Sequence, residues 1–97
     1  MNSTNPLKRY RNTKIIQGMR GEIGVQLHNT VIVWITHFHV QLNSGGYKTT
    51  LTKNRMNEAS EYYDLGFKIV QKEFNWFVVD YKHGETIPFK DNMFLKR

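Results

Sequence analysis

Four histidines, a serine in a glycine turn and a pair of closely spaced glutamates are the residues of this chain whose types suit catalysis or metal binding. His28, His37, His39 and His83 are the strongest metal-ligand candidates in a chain without cysteine. His37 and His39 stand two residues apart, so on a strand both point to one face and can supply two ligands. No spacing specifies the third ligand, and two polar positions on a solvent-facing strand read the same way, so no metal is expected. Ser44 lies in Asn43-Ser44-Gly45-Gly46, which lacks the strand-elbow-helix pattern that activates a hydrolase serine. Glu58 and Glu61 fall one helical turn apart, but Lys53 and Arg55 beside them make a solvated, charge-balanced face the plainer reading. The chemistry on offer therefore points away from an enzyme, and no cofactor is expected.

Anion binding is better supplied. Ser44, Gly45 and Gly46 can present backbone N–H groups in one concavity. Thr49, Thr50 and Thr52 add hydroxyls, and Lys48, Lys53 and Arg55 add positive charge. A helix starting near Thr52 adds the favourable partial charge of its N-terminus. These contributions suit a phosphate, in a nucleotide or in a nucleic-acid backbone. The pattern is not a P-loop, because the Gly-Lys-Thr spacing is absent. Tyr47 follows the glycines directly and is the ring expected to be exposed for stacking or docking. The plain alternative is a hairpin turn followed by a capped helix. The candidate binding residues are Asn43, Ser44, Gly45, Gly46, Tyr47, Lys48, Thr49, Thr52, Lys53 and Arg55.

The elements that must position this turn follow from periodicity. Ile23, Val25 and Leu27 alternate with Gly24, Gln26 and His28, as in a half-buried strand. Asn29-Thr30 is a turn, and Val31 to Ile35 is a β-branched run suited to a central strand. Phe38, Val40 and Leu42 alternate as a third strand. After the glycine turn, Thr52 is read as the N-cap of a helix over Lys53 to Tyr63, with Met56, Ala59 and Tyr63 forming its apolar stripe. Gly66 suits the left-handed position that ends a helix. Phe67 to Lys72 and Trp76 to Tyr81 follow as strands, with a turn near Phe74-Asn75. His83-Gly84 is a tight turn into Thr86 to Phe89, where Pro88 marks an edge strand. The expected fold is α+β: a curved antiparallel sheet of about five to six strands with one short helix, in the order β-β-β-α-β-β-β.

Charge divides the chain. Residues 1–20 hold Lys8, Arg9, Arg11, Lys14 and Arg20 and no acid, whereas residues 21–97 hold nine basic residues against eight acidic ones. The expectation is a flexible basic arm over 1–20 and a compact, nearly neutral domain over 21–97. Such an arm supplies salt-dependent attraction to DNA or RNA, or simply keeps the protein in solution. With 97 residues, 39% hydrophobic and 23% charged, the composition is that of one folded domain. No apolar run approaches the roughly 20 residues of a membrane span. The lack of cysteine, of a signal-peptide pattern and of an apolar span predicts a cytosolic protein.

The stretches His28-Asn29-Thr30, Leu42 to Thr49, Thr52 to Asn57 and Gly84 to Phe89 together resemble a family of small, mostly uncharacterised tailed-bacteriophage proteins. The combination Asn-Ser-Gly-Gly-aromatic-x-Thr with Thr-Lys-x-Arg-x-Asn carries the resemblance over about residues 22–94. The basic segment before Gly21 lies outside it, and Thr36-His37 replaces a longer polar turn. The resemblance implies a virus-encoded protein in the cytoplasm of an infected bacterium, with no catalytic residues to carry over. It implies an accessory role such as anti-CRISPR-like inhibition of a bacterial defence protein or its nucleic-acid complex. Direct DNA or RNA binding by the arm and turn, and sequestration of a nucleotide signal, are the alternatives. A homo-oligomer through the sheet edge at Thr86 to Phe89 is also compatible with the pattern.

Overall fold

The computed structural model describes residues 5–97. Among these residues the fold is α+β and antiparallel, with one α-helix and eight strands in two sheets that do not close. Strands β1 (Thr13–Gln17), β2 (Ile23–Leu27), β3 (Thr30–Ile35), β4 (His39–Leu42) and β8 (Met93–Lys96) make a five-stranded sheet in the order β1-β2-β3-β4-β8. Strands β5 (Phe67–Lys72), β6 (Asn75–Asp80) and β7 (Glu85–Pro88) form a three-stranded meander. Strand β7 is an edge, where Pro88 is tolerated. Helix α1 (Thr50–Tyr62) connects the two sheets.

The inner face of the larger sheet carries the core. Val25, Val33, Val40 and Leu42 are buried there with Ile35 and Leu95, and Met56 and Ala59 of α1 join the same cluster. The helix also seals the edge of the smaller sheet. The Asn57 amide donates to the Ile69 carbonyl and accepts from its N–H, at 3.0 and 2.7 Å. Ser60 Oγ does the same for Phe67, at 2.6 and 3.1 Å. Phe67 and Ile69 are the alternate residues of β5 whose backbone groups face away from β6, so two helix side chains satisfy a strand edge that would otherwise invite another chain.

The helix begins earlier than its threonines suggest. Thr49, extended at φ −98° and ψ 162°, is the N-cap, and its side chain accepts from the Thr52 N–H. Thr52 is therefore the third helical residue, with its hydroxyl buried 3.1 Å from that of Thr49. Three threonines compete for the cap, and the extended backbone at Thr49 decides between them. At the other end, Asp64 at φ 54° takes the left-handed position assigned to Gly66. Leu65 N–H bonds Ser60 C=O and Asp64 N–H bonds Glu61 C=O, the paired bonds of a Schellman ending.

From Asn5 onward the basic segment is part of the fold. Residues 1–4 of that expected arm lie outside the described residues. Pro6–Arg9 form a 3-10 turn whose Leu7 is fully buried. Asn5 accepts the Leu7 N–H and donates its amide to the Tyr63 hydroxyl at 2.9 Å. Burial pushes the Tyr63 phenol above its ordinary range, against the opposing effect of that Asn5 bond. Strand β1 then pairs with β2 along its whole length, from Thr13 opposite Leu27 to Gln17 opposite Ile23. Gly21 is a turn between them and not a domain boundary.

Candidate binding site

The glycine turn folds onto itself. Ser44 is 2% exposed, and both its N–H and its Oγ donate to one Asp91 carboxylate oxygen at 2.7 Å. The Gly46 N–H donates to Ser44 Oγ at 3.2 Å, the Gly45 N–H to Asn43 Oδ1 at 2.9 Å, and the Tyr47 N–H to the Ser44 carbonyl at 3.1 Å. The donors expected to be open for a phosphate are thus consumed internally, and the anion that the turn holds is the protein's own Asp91. A second anion there would meet a like charge. The Ser44 hydroxyl thus both donates to Asp91 and accepts from the Gly46 N–H. Gly45 is required by space as well as by its φ of +66°, since a Cβ would lie 2.5 Å from the Thr30 hydroxyl.

That close approach brings the turn against the β2–β3 connection and opens a cleft of about 500 Å³ beside it. Ser44 and Tyr47 of the turn and Thr49, Leu51 and Thr52 of the helix start form one wall. His28, Asn29 and Thr30 form the other, over the apolar floor of Leu27 and Ile32. Tyr47 stands 69% exposed. The Thr52 and Lys53 N–H groups are taken by the Thr49 hydroxyl and carbonyl, while those of Thr50 and Leu51 have no acceptor within the helix. An apolar floor with a few polar groups around it, in a cleft of this size, can take a small molecule or a partner's side chain.

The remaining candidates divide. Lys48 lies near the Phe89 ring, its Nζ 5.7 Å from the ring centroid, and Lys53 is half-buried. Arg55 is not at the turn. It is 7% exposed, stacked over Tyr10 with its guanidinium carbon 3.2 Å from the ring centroid. Its Nε donates to Thr13 at 3.2 Å and its Nη1 pairs with Glu58 at 2.9 Å. Arg55 therefore ties the helix to β1 and the 3-10 turn, and Glu58 is its counter-ion rather than half of a carboxylate pair. Of the basic segment, Arg9 donates to the Tyr10 hydroxyl, and that bond raises its pKa. Lys8, Arg11, Lys14 and Arg20 are exposed, but on folded backbone.

His37 and His39 are exposed near the start of β4, and among the described residues no group of three or more histidines and carboxylates is placed to hold a metal ion. His83 pairs with Asp80 at 2.8 Å, and Asp80 also accepts the Lys82 and His83 N–H groups, so the β6–β7 connection is a four-residue loop rather than a two-residue turn. Among the described residues every buried side-chain polar atom has a partner. Sequence reasoning missed His28, Asn29, Leu51 and Ile32 as cleft residues and Asp91 as the support behind it. His28 at φ 54° had a local cue in the following Asn29, since an Asn in that position marks a tight turn. Asp91 had none.

No helix among the described residues is long and apolar enough to cross a membrane. No curated protein and no solved structure matches the chain significantly. The Kyanoviridae Gp96 protein family model matches residues 2–96, so the match includes the basic segment that the resemblance had left out. The chain belongs to this phage protein family.

Proposed function

We propose that this member of a phage protein family is a non-enzymatic accessory protein that inhibits a bacterial defence component by binding it in the host cytoplasm. The observation that carries the binding part is the cleft of about 500 Å³ with Tyr47 69% exposed beside it. A large ring on a turn held by internal hydrogen bonds is a rigid anchor, and rigid aromatic anchors dominate protein-protein affinity. The family supplies the phage context. A nucleotide signal is the weaker occupant, because Asp91 already supplies the negative charge behind the turn.

The test is capture of the tagged protein from infected cells, paired with phage plating on hosts that carry and lack a defence system. Recovery of a defence protein by the native chain, lost with Tyr47→Ala, is the expected result. Failure to rescue plating on any defended host, together with identical captures by both forms, overturns the reading. A thermal-shift screen against cyclic nucleotides separates the alternative, since a ligand at 100 times its Kd stabilises by about 2.7 kcal/mol.

A further inference from the structure

The outer face of the five-stranded sheet, turned away from α1 and the core, is built differently from the rest of the molecule. Register aligns Ile16, Gly24, Trp34, Gln41 and Phe94 in one row across all five strands. Their strand neighbours Val25, Val33, Val40 and Leu95 are core residues, whereas Ile16 and Trp34 pack against no part of the core cluster. Phe94 is 62% exposed and sits edge-on to His39, with ring centroids 5.9 Å apart. Trp34 lies directly on Gly24, where a Cβ would come within 2.9 Å of the indole. The glycine thus provides a flat bed that fixes the indole plane. One strand separates the two rings, a spacing of about 10 Å.

Within its five strands this face carries charge of one sign. All eight Asp and Glu residues lie outside the five strands, while Lys14 and Lys96 lie in the rows flanking the rings, Lys14 opposite Gln26 and Lys96 opposite His39. The acid at the margin, Glu22, accepts the Arg20 N–H. A depression of about 330 Å³ beside Trp34 is lined by the amides of Gln41, Asn43 and Asn92. Amides supply both donors and acceptors, as the edges of bases require.

From these observations we infer that the outer face of the five-stranded sheet binds single-stranded nucleic acid, with Trp34 and Phe94 stacking bases and Lys14 and Lys96 meeting phosphates. Stacking needs unpaired bases, which a duplex does not offer. A second copy of this chain fits poorly, because a two-fold pairing sets the same lysine-bearing face against itself. The inference is independent of the cleft, which opens on the other side of the sheet.

Fluorescence anisotropy with labelled single-stranded DNA and RNA of about 20 nucleotides, and the matching duplex, tests it at low salt. Expected are binding of a single strand, quenching of tryptophan fluorescence, and about tenfold weaker binding for Phe94→Ala with recovery in Phe94→Tyr. Trp76 is 5% exposed, so quenching reports Trp34. Lys14→Glu with Lys96→Glu weakens binding and flattens its salt dependence, by about 0.7 in log–log slope for each phosphate that the lysines no longer neutralise. Phe74→Ser, at an exposed ring on the other sheet, leaves affinity unchanged. Preference for DNA or RNA assigns the sugar and supports the inference either way. No single-strand binding at low salt, equal affinity for duplex, or native affinity in folded Phe94→Ala overturns it.

Discussion

On the inner face of the five-stranded sheet, Val25, Val33 and Leu42 are completely buried; one residue further along the strands, on the outer face, Phe94 is 62% exposed beside His39. Both faces carry large apolar side chains at alternate positions. The inner one is closed by helix α1 and the 3-10 turn, and the outer one has no covering element among the described residues. A sheet face left open on a small domain normally turns polar. This one keeps Trp34 and Phe94 among its amides and lysines, the composition that the proposed binding of single strands calls for.

The contrast can be broken by substitution, and the effects should fall in a definite order. Leu42→Ala on the inner face removes a fully buried side chain and should cost about 2–5 kcal/mol. That is a fall of roughly 10–30 °C in Tm for a domain of this size, measured by calorimetry. Asp91→Ala comes next. It strips the acceptor from two donors of the buried Ser44 and should cost about 1–3 kcal/mol, read as a lower denaturant midpoint at unchanged slope. If Asp91→Ala proves neutral, water has replaced the carboxylate and the turn is open to anions after all. Thr49→Ala removes the N-cap and should cost about 1 kcal/mol in the same titration. Phe94→Ala should change stability by no more than about 0.5 kcal/mol in thermal unfolding. A larger loss would mean that the outer face is structural and would remove its distinction from the inner one.

The strands were legible where alternation ran uninterrupted. Ile23, Val25 and Leu27 declared the core-facing side of β2 directly. Strand β8 went unread although Met93 to Lys96 alternates, because a four-residue run near the end of the sequence carries little pattern. Ile15-Ile16 reads as the start of a short strand, but Lys14 and Gln17 hid its pairing with β2. The turn expected near Phe74-Asn75 lies at Glu73-Phe74, where both residues take positive φ, 51° and 69°, without a glycine. The division into two sheets was hidden, because it depends on α1 sealing the β5 edge through Asn57 and Ser60.

The turn at Asn43 to Tyr47 marks the boundary between local and distant information. That the chain must stop the sheet and start a helix there is written in two glycines and three threonines, because backbone freedom and capping act over a few residues. What occupies the turn's donors was settled by Asp91, 47 residues away, and Arg55 was drawn from the expected site by Thr13, 42 residues away. Likewise the alternation of each strand is local, but which side of the sheet is covered follows from where the helix packs. Hydrogen-bond and hydrophobic partners so distant in sequence leave no periodic trace, and they meet only when the chain has folded.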